Sequence, residues 1–142
     1  MKELEKFGEL YMKHVRDICL WSSKTILQGK FNIPEYKAFF EEFQMQKFTE
    51  QQLELINLLV YDAVDNAMHH TLFFFEQYCD ETDIYVNSED GKLVGLGAES
   101  DGLAGELYTE DGWIKKYSKH PGSLELFESR YGQNTNDENS DQ

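Results

Sequence analysis

Asp62, Asp65, His69 and Glu76 recur at spacings that, on a helix, place them within about 60° of one another. His69 follows Asp65 by four residues, so both can reach one cation, and Glu76 lies two turns further on. A carboxylate–imidazole set of this kind takes Zn, Mn or Fe, so Asp65, His69 and Glu76 form a candidate metal site. The spacing is neither His-Glu-x-x-His nor a Glu-x-x-His pair repeated on two helices. The same residues also read as a solvated polar face carrying an Asp–His pair four apart. Other chemistry is weaker. Asn87-Ser88-Glu89-Asp90-Gly91 lacks the ligand order of a calcium loop. Gly95-Leu96-Gly97 and Gly102-Leu103-Ala104-Gly105 have no Walker lysine, and nearby acids repel phosphate. No serine sits in a nucleophile elbow. Cys19 and Cys79 have no base beside them and are expected to be buried, reduced thiols. No cofactor is expected.

Charge says more than motifs do. The 142 residues hold 27 Asp and Glu against 13 Lys and Arg, a net −14. Residues 80–111 hold ten of the acids and one base, Lys92, a local −9. Such a surface disfavours nucleic acid and anionic membranes and attracts a basic protein partner. Tyr85, Tyr108, Trp113 and Tyr117 are interleaved with the acidic run and its glycines, and aromatics supply binding anchors. Tyr85, Glu89, Asp90, Glu99, Asp101, Glu106, Tyr108, Glu110 and Asp111 are therefore the candidate partner-binding residues. The competing reading makes the aromatics core and the acids a device for solubility.

The elements that must position these groups follow from periodicity. Leu4, Phe7, Tyr11, Val15 and Ile18 form one stripe of an amphipathic helix. Gly29 suits its stop, and Pro34 the first turn of a second helix bearing Tyr36, Phe39, Phe40 and Phe43. Thr49 and Gln52 have capping-box form and open a long central helix reaching about Tyr78. Its broad apolar face is expected to hold Leu53, Ile56, Val60, Ala63, Val64, Ala67, Thr71, Phe74, Phe75 and Tyr78, with Leu55, Leu58, Leu59, Leu72 and Phe73 elsewhere. Ile84-Tyr85-Val86, Asp90-Gly91 and Leu93-Val94 spell a β-hairpin. Six glycines between Gly91 and Gly112 exclude a long helix there. Trp113, Ile114 and Tyr117 are expected to be core anchors. Pro121-Gly122-Ser123 opens a short last helix through Arg130, with Leu124 and Phe127 inward.

The expected fold is α+β: a helical layer, a small antiparallel hairpin region and a short C-terminal helix. One domain spans residues 1–131, and the polar tail of 132–142 is expected to be disordered. The N-terminus lacks signal-peptide form, and the longest apolar run, Leu72–Phe75, is far too short to span a membrane, so a cytoplasmic protein is expected. In general character (small, acidic, aromatic-rich) the chain is similar to bacterial immunity proteins that neutralise basic toxins, a likeness of composition that transfers no residues. The leading expectation is a non-catalytic protein-binding module. The alternatives are a metal-dependent enzyme or metal-binding helical protein using Asp65, His69 and Glu76, and a structural homodimer subunit joined through Phe39, Phe40 and Phe43.

Overall fold

The computed structural model describes residues 1–132. The tail expected from residue 132 onward lies, apart from Gly132 itself, outside them. The fold is α+β. Helix α1 (Lys2–Tyr11) passes through a π-turn at Met12–Arg16 into α2 (Asp17–Leu27) without leaving helical conformation. Gly29, at φ 76°, ends α2 in the left-handed region that favours glycine. Helix α3 (Glu35–Met45) follows Pro34 and buries none of its residues. Helix α4 (Glu50–Gln77) opens on the expected capping box: Gln52 N–H donates to Thr49 Oγ1 (3.2 Å), and Thr49 N–H donates to Gln52 Oε1 (2.9 Å).

Beyond α4 the chain forms short elements. Strands β1 (Tyr85–Asn87) and β2 (Leu93–Gly95) pair antiparallel with Tyr85 opposite Gly95 and Asn87 opposite Leu93. Gly91 (φ 81°) sits in their turn, as the Asp-Gly signal predicts. Next come α5 (Leu96–Glu99), a 3₁₀ turn (Leu103–Leu107), α6 (Trp113–Tyr117) and α7 (Ser123–Tyr131). The core lies where this second half packs on α4 and α1: Leu4, Met12, Met68, Leu72, Leu96, Leu103, Leu107, Trp113 and Ile114 form one cluster. Trp113 is fully buried against Gly8, whose missing Cβ makes room for the indole. No described helix is long and apolar enough to cross a membrane.

Four expectations are corrected. The α1 stripe holds through Tyr11, but the π-turn carries one extra residue, and each residue rotates the face by about 100°. Downstream of it Arg16, Asp17 and Leu20 are buried, while Val15 and Ile18 are 39% and 50% exposed. On α4 the buried residues are Leu58, Tyr61, Asp65, Met68 and Leu72, and none of the expected broad face is buried. The second half of the chain supplies the apolar cover, and it meets the arc that also carries Asp65. Leu124 faces outward, and Cys19 is exposed rather than buried.

Candidate functional site

Asp65 and Arg16 meet in the interior, 3% and 0% exposed. Arg16 Nε donates to Asp65 Oδ1 (2.6 Å), and Nη2 donates to Oδ2 (3.1 Å). The remaining donors reach Ser118 Oγ (2.6 Å), the His120 carbonyl (2.9 Å) and the Pro121 carbonyl (2.8 Å). All five guanidinium N–H groups thereby have acceptors, the condition under which a buried charge is tolerated. Asp65 Oδ2 also accepts from the backbone of Ser123 (2.8 Å), and Asp17 accepts from Ser118 Oγ (2.5 Å) and from Lys119 N–H (3.1 Å). The π-turn, α4 and the strap of residues 118–123 are thus tied at one point. Sequence reasoning missed Arg16 because a regular helix would not have turned it inward.

Tyr61 and His120 close one side of this node, with the Tyr61 hydroxyl 3.2 Å from His120 Nδ1. Burial, helped by Lys24 and Arg16 and opposed by Asp17, pushes the His120 pKa below its ordinary value. On the other side Tyr108 stacks obliquely on His69, ring centroids 5.5 Å apart, and its hydroxyl reaches the Asp65 carbonyl at 3.5 Å. Burial and the nearby charges of Asp65 and Asp62 push the Tyr108 phenol up to about 12.

The three proposed metal ligands have separate duties. Asp65 is held by Arg16 and Ser123. His69 packs among Phe73, His70 and Tyr108, with a buried Nδ1 that has no hydrogen-bond partner. Glu76 faces the 3₁₀ turn, its Oε2 3.5 Å from the Ala104 N–H. Among the described residues no three His, Cys, Asp or Glu side chains are grouped to hold a metal ion.

The acids of residues 80–111 divide into two sets. Asp83 is structural: its Oδ1 accepts from the N–H groups of Ile84 (2.7 Å) and Gly97 (2.6 Å), and Oδ2 accepts from that of Ala98 (3.1 Å), which satisfies the start of α5. Glu89 pairs with Lys2, Asp90 with Ser88 and Lys92, and Glu110 with Lys115 at 3.0 Å. The side-chain carboxylates of Asp80, Glu81, Glu99, Asp101, Glu106 and Asp111 have no hydrogen-bond or ion-pair partner among the described residues. Glu99 and Asp101 precede the 3₁₀ turn that packs on α4, and Glu106 lies within it. Glu76 adds a carboxylate there, 3.5 Å from where a Cβ on Gly102 would stand. Tyr108 is 41% exposed and Tyr85 62%. Trp113 belongs to the interior, and Tyr117 packs partly buried against it, its hydroxyl donating to Glu5 at 2.5 Å.

Comparison with protein-family models, curated proteins and solved structures yields no match to this chain.

Proposed function

We propose that this chain is a non-catalytic binding module that occupies a basic protein, in the manner of an inhibitor or immunity protein. The observation that carries the reading is the unpaired set Glu99, Asp101 and Glu106 around the 3₁₀ turn, with Glu76 beside them and Tyr108 half-exposed nearby. Carboxylates without internal partners are free to meet a partner's cations, steering encounter and setting register. Tyr108 and Tyr85 offer flat amphipathic contact area at small entropic cost. Glu89, Asp90 and Glu110 already have partners within the chain and contribute less, and Asp111 extends the unpaired set. In this reading the buried Arg16–Asp65 pair is scaffold, because it holds the α4 edge against which the 3₁₀ turn packs.

The test is capture of binding proteins from source-cell lysate by the full chain and by the Glu99→Lys/Asp101→Lys/Glu106→Lys variant. The expected result is a basic protein retained by the native chain, released as salt rises and lost on the variant. Retention indifferent to both the variant and salt, or no retained protein, overturns the proposal.

A further inference from the structure

Helix α4 inverts the usual arrangement of a surface helix. It contains five charged residues, Glu50, Glu54, Asp62, Asp65 and Glu76, and no Lys or Arg. At 100° per residue these five fall within about 120° of arc. Leu58, Tyr61, Asp65, Met68 and Leu72, the residues α4 buries, occupy that same arc. The rest of the circumference carries no charge over its full 28 residues. One margin of it is covered, with Val64 and Phe75 packed against the core, but the stretch between that margin and Asp62 is open to solvent: Leu55 (46%), Leu59 (68%), Phe73 (40%) and Phe74 (48%) are exposed, as is Tyr78 (47%) just past the helix end. Ala63, Asn66 and Ala67 lie exposed between them. A solvated helix face normally carries the charge, and exposed apolar patches of this extent mark interaction sites.

We infer that this uncharged arc is a self-association surface and that its occupant is α4 of a second copy of the chain. Charge selects the occupant. Every copy carries −14, so two copies meet favourably only where neither presents a carboxylate, and this arc meets that condition. A basic partner, by contrast, gains nothing from a face without acids. Shape agrees: small residues at the middle, with Leu55 and Leu59 toward one end and Phe73 and Phe74 toward the other. An antiparallel two-fold lays the leucine end of one helix on the phenylalanine end of its mate, and Ala63 and Ala67 permit close approach at the axis. The helix is about 42 Å long at 1.5 Å per residue. Large side chains about half exposed along that length supply roughly 500 Å², toward the small end of specific interfaces, whose standard size is about 800 Å² per partner. Residues 133–142 contain no apolar side chain, so that segment offers nothing to cover the face.

The experiment is sedimentation equilibrium on the full chain, native and carrying Ala67→Glu, with circular dichroism to confirm the fold. Ala67 is exposed and outside the core, so the variant keeps its helix content. The expected result is a native species of twice the 16.6 kDa chain mass and a variant dissociation constant raised about 100-fold or more, because the new carboxylate is buried without a partner. A control, Phe39→Glu/Phe43→Glu on α3, should leave the dimer intact. So should the Glu99/Asp101/Glu106 reversal, which keeps this inference separable from the binding-module reading. A native chain that is monomeric at every attainable concentration overturns the inference. So does a dimer indifferent to Ala67→Glu, or one that only the α3 variant dissolves.

Discussion

Arg16 and Asp65 are the residues on which the interior is most exacting. Removing one partner of a buried, fully hydrogen-bonded pair leaves an uncompensated charge and typically costs about 3–5 kcal/mol. Asp65→Ala is therefore expected to lower the free energy of unfolding by about that amount in a urea titration. Asp62→Ala, which removes one 3.3 Å contact from Ser123 Oγ, should cost roughly 1 kcal/mol or less. The double change Arg16→Met/Asp65→Leu should recover only part of the loss, because Ser118, the carbonyls of His120 and Pro121, and the Ser123 amide lose partners as well. Two phenols make a second prediction. The Tyr117 pKa is pushed up to about 12, chiefly by its hydrogen bond to Glu5, and the Tyr108 pKa to about 12 by burial. A group whose folded pKa lies above its unfolded value near 10 stabilises the fold below pH 10, and that contribution is lost as pH rises toward 12. Stability measured by denaturant should fall across that window, and Tyr117→Phe should flatten the fall. His120 has the opposite sign. Its folded pKa lies below the ordinary value of 6.5, so stability should decline as pH drops below about 6.5, and His120→Gln should remove that decline. None of these roles was legible in the sequence, where Asp65 reads equally as ligand, solvated acid or buried anchor; only its partner decides.

At the scale of elements, local signals were legible and faces were not. The capping box fixed the start of α4, Asp90-Gly91 fixed the hairpin turn, and Gly29 fixed the end of α2, because each depends on residues within a few positions of itself. The π-turn has no comparable signature, and one extra residue was enough to turn Val15 and Ile18 outward and Arg16 inward. The α4 face was misread for a related reason: apolar residues encircle most of that helix, and which arc is buried depends on elements far along the chain. Close approach between elements gives a third prediction. Gly8→Ala would normally strengthen a helix, but its Cβ would collide with the buried Trp113 indole. The crowding should win, with a net destabilisation of about 1–3 kcal/mol. Gly97→Ala, whose Cβ would meet the Phe75 carbonyl, should likewise loosen α5 from α4. Thermal melts of the two variants would check both, and an unchanged or raised melting temperature for Gly8→Ala would show that the indole can move aside.

For the whole molecule, composition was the most legible property of all: it foretold a chain rich enough in aromatics to fold and an acidic segment between residues 80 and 111. It did not foretell that Glu89, Asp90 and Glu110 would find partners within the chain while Glu99, Asp101 and Glu106 would not, since which cation stands near each acid is set by the fold, as with Lys2 beside Glu89. A net −14 strains the folded state by self-repulsion, which salt screens over about 8–10 Å at physiological strength. Raising salt from about 10 mM to 150 mM should therefore raise the melting temperature of the native chain, whereas the same change should weaken its hold on a basic partner.

The strap of residues 118–123 also sets an order of events during folding. Arg16 bonds to positions 49 and 102–105 residues away, so its guanidinium can leave water only after three distant stretches of chain have come together. Until then the first helix carries a hydrated charge on the side it must bury, and complete packing there is postponed. During synthesis this makes the final quarter of the chain the step that commits the rest: a nascent chain stalled before residue 118 should keep its early helices loosely docked and open to proteases. The transition state should show small φ-values around Arg16 and Asp65, and their substitution should chiefly accelerate unfolding.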